Sequence, residues 1–331
     1  MRKVYINGIG VNGGRYGSLS ELRAILNNKA TTLINKNVSL TSRDMIQRED
    51  RAVLNSITLM AVNALHDLLS QNNYDDRSDW DIFTACDYAF DDNLLCDGIA
   101  HIKERGKDNF WHSLALFSEV VNPLELLRGL PTNTLYHISK ILNNNGKGLP
   151  VDAGNLSELV SLNFIQNKRP TLIVSAGGQT GTKDRVIQRK NKLANSFIQN
   201  MTWGGCALLT GDYTPQSIGS IQDVVLTSDQ SADLSIYLDK YLPATDDAVY
   251  FIPFGERLHE WDDDAIARSA LKKIDYDVIG YAGRPDMLTK LACFMNDDNV
   301  PDQSIAYLSG YDSQYGFGCA VIQKGVSNEQ G

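Results

Sequence analysis

The stretch Asn143–Leu162, NNNGKGLPVDAGNLSELVSL, constrains the fold more than any other part of the chain. A Gly-containing turn leads into a short apolar piece, Leu149–Val151. A second turn of small residues, Asp152–Asn155, then opens an amphipathic segment that ends near Asn163. Strand, tight turn and helix in that order build an elbow. The residue at such a turn stands exposed, with a helix N-terminus beside it to stabilise negative charge. Here the turn holds Ala153, Gly154 and Asn155, and the nearest hydroxyl, Ser157, lies past it. The local pattern is that of an elbow without a nucleophile.

Strand and helix patterns alternate on both sides of this stretch. Lys3–Val11 alternates with β-branched residues and ends in Asn12-Gly13-Gly14, a buried strand and a turn. Ser18 with Glu21 three residues on has the spacing of a helix start over Ser18–Asn28. Glu49–Gln71 carries one apolar stripe, Val53, Ile57, Met60, Ala61, Ala64, Leu65 and Leu68, and reads as a single helix. Trp80–Cys86 and Pro170–Ala176 read as strands, and Asp87–Gly106 as a turn and a helix. A Pro-punctuated middle (Pro123, Pro131) leads to a helix over Thr132–Leu142. Gly204-Gly205 reads as a tight turn into a strand. The second half repeats the alternation: strands at Ile218–Thr227 and Ala248–Pro253, helices at Ala232–Tyr241, Asp264–Ile274 and Asp286–Met295. Asp277–Ile279 is a short strand or loop, and Ser304–Tyr311 with Gly318–Lys324 a closing hairpin. This is α/β layering. No composition break marks a linker, so the expectation is one unit over 1–331 with similar halves, 1–165 and 166–331.

Composition narrows the function. The formal net charge of −9 argues against nucleic acid or an anionic membrane as partner. A basic run, Lys183, Arg185, Arg189, Lys190 and Lys192, is either a solvated helix face or a local patch for an acidic carrier protein. Gly177–Lys183 lacks the spacing of a phosphate loop. The five cysteines, Cys86, Cys96, Cys206, Cys293 and Cys319, form no CxxC pair. That fits a reduced compartment and speaks against a disulfide framework or a cysteine-ligated zinc site. No apolar run reaches about 18 residues and the N-terminus has no long apolar core. The expectation is a cytoplasmic protein with no metal and no cofactor.

Taken in order, several pieces resemble the β-ketoacyl synthase family of the thiolase fold. VYINGIGVNGG resembles that family's opening strand, and Arg51–Leu69, after Asp50-Arg51, resembles the helix that follows it. Asn122–Gly148 resembles the segment before the nucleophile. Leu149–Leu159 falls where the family has its VDTACSSSL elbow, TLIVSAGG (Thr171–Gly178) on its AGG strand, Gly204–Thr210 on its GEGAG element, and Gly316–Val321 on its C-terminal glycine-rich turn. The resemblance implies a fold of two similar halves in α-β-α-β-α layers.

The family's Claisen condensation needs a cysteine thiolate at the elbow and two histidines. Carried over by motif, Val151–Asn155 matches V-D-T-A-C and puts Asn155 at the cysteine. Phe254-Gly255-Glu256 puts Phe254 at the first histidine, and Gly280-Tyr281 puts Tyr281 at the second. None of these side chains can do the chemistry. The histidines present, His66, His101, His112, His137 and His259, fall at no motif position.

The resemblance therefore implies a non-catalytic partner of an active ketosynthase, of the kind called a chain-length factor in bacterial type II polyketide and aryl polyene synthesis. It implies a heterodimer, access to an acyl carrier protein through the complex, and an acyl tunnel shaped by the helix Asn93–Ile102. Leu94, Leu95 and Ile99, with Phe110 and Phe117, are the tunnel or interface candidates. Two alternatives stay open: an acyltransferase or thioesterase using Ser157 or a repositioned Cys, and a stand-alone acyl-binding scaffold.

Overall fold

The computed structural model describes residues 3–27, 39, 43–72, 74, 76–87, 92–105, 110–121, 123–145, 147–165, 169–178, 201–228, 249–255, 271–312 and 314–326. The first strand, β1 (Val4–Gly13), is followed by α1 (Leu19–Leu26), whose cap is the expected Ser18, its hydroxyl accepting from the Glu21 N–H at 3.3 Å. The apolar stripe expected over Glu49–Gln71 divides. Glu49–Val53 forms a tighter 3₁₀ turn and α2 begins at Ser56, because the Asn55 side chain accepts from the Thr58 N–H at 2.7 Å and caps the helix there. Next come β2 (Asp81–Cys86), α3 (Asp92–Arg105), α4 (Phe110–Val120), α5 (Pro123–Gly129), α6 (Pro131–Leu142), β3 (Gly148–Pro150) and α7 (Ser157–Asn163). Pro123 and Pro131 both sit at the first position of a helix, where the missing N–H costs nothing.

Two long strands follow, β4 (Thr171–Gly178) and β5 (Trp203–Gly211). Gly204 and Gly205 lie inside β5 rather than in a turn before it. A Cβ on Gly205 would lie 2.6 Å from the Met60 carbonyl oxygen, so the glycine is there to let α2 press on the sheet. Then come β6 (Gly219–Thr227), β7 (Val249–Phe254), β8 (Lys272–Lys273), a 3₁₀ turn at Asp277–Ile279, α8 (Asp286–Asn296), β9 (Ile305–Asp312) and β10 (Gly316–Lys324). Lys272–Lys273 pairs with β7, so the helix expected over Asp264–Ile274 does not extend to its C-terminal end. Most of that segment, and Ala232–Tyr241, lies outside the described residues.

The strands run in the order β3-β2-β4-β5-β1-β6-β10-β9-β7-β8. Numbered within each set of five, both sets read 3-2-4-5-1, joined first strand to first strand by the antiparallel pairing Val4–Ile221 to Ile6–Gly219. In each set the fifth strand is antiparallel to both neighbours, while second, third and fourth strands run parallel. The chain is an internal duplication. Strand order groups β4 and β5 with the first set, so the division expected at 165/166 falls instead between Gly211 and Gly219.

Side chains alternate faces along the strands, as the pleat requires. Ile173, Cys206 and Leu208 from the first set face Tyr250, Ile252, Phe254, Ala306, Leu308 and Ala320 from the second. Between them lie α7, through Leu159 and Leu162, and α8, through Leu288, Leu291 and Phe294. The other face of the first set, Leu172, Val174 and Leu209, is covered by Met60, Leu65 and Leu68 of α2 and Ile138 of α6. The far face of the second set carries a third buried group, Phe251, Tyr307, Phe317, Cys319 and Val321. The third strand of each set therefore feeds a helix into the shared middle layer, and the elbow sits where β3 turns into α7.

Candidate functional site

Val151 extends the β2 ladder by one bond, its N–H to the Thr84 carbonyl at 2.8 Å, and the chain then turns sharply. Gly154 takes φ of +55°, a region that L side chains enter at a cost of about 1–2 kcal/mol. The Leu156 and Ser157 N–H groups bond back to Ala153 and Gly154 carbonyls at 3.0 and 3.2 Å, closing the turn. Burial of Leu156, Leu159 and Leu162 then anchors α7, each worth about 1.5–3 kcal/mol by apolar area.

Two of the three positions matched to the family's reacting groups touch here, Asn155 and Tyr281. The Tyr281 hydroxyl donates to Asn155 Oδ1 at 3.3 Å, and the Tyr281 carbonyl accepts from the Thr202 N–H at 2.9 Å. Gly255, which follows Phe254 at the end of β7, backs onto Asn155, since a Cβ there would lie 3.2 Å from the Asn155 Cβ. Phe254 itself is buried. Its ring lies over Gly310 on β9, where any added Cβ would collide with it. Amide and phenol thus meet between the elbow and the loop before α8, while the phenyl packs on β9 and only its neighbour Gly255 borders the elbow. None is a thiolate or an imidazole.

Ser157 is committed to holding the turn. Its hydroxyl donates to the Gly154 carbonyl at 2.7 Å and accepts from the Ala153 N–H at 2.9 Å and from the Arg284 guanidinium at 3.1 Å. A serine nucleophile needs a base within hydrogen-bond reach, and a guanidinium has no lone pair to offer. Arg284 was not singled out by sequence, yet it ties the site together: it reaches Asp87 after β2 at 3.0 Å and Asp152 at 2.6 Å as well as Ser157. Its one local signal is its place three residues after Tyr281.

Three more carboxyl groups, Glu158, Asp286 and Asp312, hold the site from behind. Glu158 is wholly buried, and its Oε2 accepts from the Leu288 N–H in the first turn of α8 at 3.0 Å. Burial pushes its pKa well above the ordinary 4.5. Asp286 Oδ2 accepts from the Gly255 N–H at 2.7 Å and pairs with Lys290 at 3.1 Å, while Lys290 also donates to the Pro253 carbonyl at 2.7 Å. From β9, Asp312 Oδ2 accepts from the Asn155 N–H at 3.0 Å. These links fasten elbow, β7 and α8 to one another from behind.

Among the described residues, the remaining histidines and cysteines do not supply a nucleophile or base. His66 and His112 are exposed, and His101 pairs with Glu119 at 3.2 Å. His137 is buried on α6 against Tyr136, with its pKa lowered by burial. His259 lies outside the described residues. Cys86 and Cys319 are buried thiols pushed up to about 12, and burial raises Cys206 and Cys293 as well, so these four are inert hydrophobes at neutral pH. The backbone of Cys96 is described but its side chain is not. Among the described residues no cluster of His, Cys, Asp and Glu could hold a metal ion, and no helix is long and apolar enough to cross a membrane.

Of the tunnel candidates, Ile99 on α3 is half exposed, and Phe117 on α4 packs against Gly98 of α3. The side chains of Leu94, Leu95 and Phe110 are outside the described set. The basic run Lys183–Lys192 lies outside the described residues altogether.

The sequence matches no protein-family profile and no curated protein. Solved structures do match over the whole chain. The ishigamide ketosynthase/chain length factor superposes with a TM-score of 0.74 at 13% identity, covering 98% of this chain and 100% of that one. A chain from a type II polyketide synthase acyl-carrier protein in complex with its ketosynthase gives 0.71 at 10%, covering 98% and 99%. A β-ketoacyl synthase from Burkholderia phymatum STM815 gives 0.70 at 12%, covering 99% and 100%. The fold is that of the β-ketoacyl synthases. The two similar halves and their α-β-α-β-α layers, read from scattered motifs, are those of the thiolase fold.

Proposed function

We propose that this chain is the non-catalytic, chain-length-factor-like subunit of a ketosynthase pair. The observation that carries the reading is the elbow itself. The reading is supported by the Asn155–Tyr281 contact there, with Gly255 beside Asn155, and none of Asn155, Phe254 and Tyr281 has the side chain that the family's reaction needs. A shape retained without its chemistry is the expected state of a subunit that completes a pair whose other member reacts.

The surface supports a partner. Among the described residues β3 ends the sheet with one edge unpaired, and its Leu149 is 47% exposed. An open edge beside apolar side chains invites another chain. Trp111 and Leu114 of α4, Leu124 and Leu127 of α5, and Phe164 after α7 are also exposed. In this reading the partner is a ketosynthase with a cysteine and both histidines. The carrier protein is met through the complex, and Leu94, Leu95, Ile99, Phe110 and Phe117 line the acyl tunnel or its interface. The setting is type II polyketide or aryl polyene synthesis in the cytoplasm, with the whole chain acting as one unit.

The test is co-expression with any ketosynthase encoded near it and purification through a single tag. A stoichiometric pair is expected. Elution as a monomer or homodimer in the presence of each such ketosynthase would remove the reading.

A further inference from the structure

Asp312 closes β9 at the mouth of the hairpin to β10. Its Oδ1 accepts from the N–H groups of Gln314 and Tyr315 at 2.8 and 3.2 Å, an ordinary way for an aspartate to hold a turn. Its Oδ2 does something the hairpin does not need. It leaves its own loop and accepts from the N–H of Asn155, 157 residues away in the chain, at 3.0 Å. The fit is tight: a Cβ on Gly154 would collide with that same oxygen.

That N–H belongs to the residue at the tip of the elbow. When an acyl group is transferred at such a tip, the attacked carbonyl becomes an oxyanion, and backbone N–H groups of the turn are what hold it. Here the donor is already saturated by a fixed negative charge. A second negative charge arriving at the same place would be repelled, and a thiol placed there would be held in its neutral form.

We propose that Asp312 is a built-in plug of the elbow's anion-stabilising position, so that unreactivity is secured twice, once by Asn155 and once by Asp312. The inference rests on reading the elbow as a site that has lost its nucleophile, and it goes one step further. Replacing Asn155 with cysteine alone leaves the site slow to take an acyl group, and withdrawing the carboxylate speeds it.

The reaction to watch is thioester exchange. The thiolate introduced by Asn155→Cys attacks the carbonyl of an acyl thioester, the carbon–sulfur bond to the leaving thiol breaks, and that thiol departs and takes up a proton. Nothing is oxidised or reduced. Asn155→Cys is compared with Asn155→Cys/Asp312→Ser, using hexanoyl-N-acetylcysteamine and intact-mass detection of the adduct on this subunit. Each acylation rate is divided by the iodoacetamide alkylation rate at the same pH, which reports the thiolate and needs no oxyanion donor.

The serine keeps a short hydroxyl for the hairpin turn but cannot reach Asn155. The normalised rate is expected to rise about ten- to a hundredfold in the double variant. Asn155→Cys/Asp312→Asn, neutral and nearly isosteric, is expected to move the same way by a smaller factor and guards against misfolding of the serine variant. Equal normalised rates with and without the carboxylate, including no adduct in either, would overturn the proposal. Co-purification of Asp312→Ser with a ketosynthase is read separately, so the plug and the pairing can fail independently.

Discussion

Around the elbow, Asp152, Asn155, Ser157 and Asp312 each hold a defined partner within 3.3 Å, whereas Trp111, Leu127 and Leu149 stand 74%, 53% and 47% exposed on α4, α5 and β3. In a working elbow the polar groups would be held in reserve for a substrate, and here they are spent on the protein itself. On the outer face the opposite holds, with large apolar side chains left in water although the chain has three well-filled cores. The contrast fits the proposed reading, in which the inside of this molecule serves shape and its outside contact.

The comparison breaks most visibly at Gly154. Gly154→Val puts a β-branched residue at φ of +55° and into the Asp312 carboxylate. We expect a loss of about 3 kcal/mol, read as a lower urea midpoint at unchanged slope. A loss below about 1 kcal/mol would mean the elbow is looser than described.

Next is Arg284, whose fork spans three partners. Asp152 is 42% exposed and Asp87 22%, so the loss on Arg284→Met is screened to about 2 kcal/mol. Arg284→Lys is expected to recover less than half of it, because one ammonium cannot span the same three groups. Full rescue by lysine would reduce the fork to a simple charge.

Glu158 gives a pH-dependent test. Its folded pKa lies above the ordinary 4.5, so its contribution to stability is full below that pH and is lost as pH rises through the folded value. Glu158→Gln keeps the neutral shape. Its stability relative to the parent should climb as pH rises above about 4.5, and the two should converge at low pH. A pH-independent difference would show that the carboxyl is charged in the fold.

Smallest for the isolated chain are the outer positions. Trp111→Ser and Leu149→Asp should leave its stability within about 0.5 kcal/mol and yet weaken pairing with a ketosynthase at least tenfold. If they instead destabilise the chain while pairing is unchanged, the two regions are not the opposites described.

What could be read in advance follows the range of the interactions. The Ser18 cap, the apolar stripe of α2, the strand expected over Pro170–Ala176 and the turn at Asp152–Asn155 are set by residues a few positions apart, and each lies close to where the local pattern puts it. The break before Ser56 was hidden because an apolar stripe runs through it while the Asn55 cap decides. Gly204-Gly205 looked like a turn because the reason for glycine there is α2 pressing from outside. The proposed site rests on the motif positions Asn155, Phe254 and Tyr281, which only the resemblance singles out. Asp312, Arg284 and Glu158 act over separations of 157, 132 and 130 residues, and nothing in their own neighbourhoods announces it. The division of the halves was misplaced for a related reason: strand order, which groups β4 and β5 with β1, is a tertiary fact.

The central claim is that this chain keeps the shape while a partner carries the reaction. Its most direct test is to load the co-purified pair with an acyl thioester and weigh each subunit intact. The account predicts one acyl group on the ketosynthase and none on this chain. An acyl mass on this chain, lost on Ser157→Ala or on replacing one of its cysteines, would contradict it.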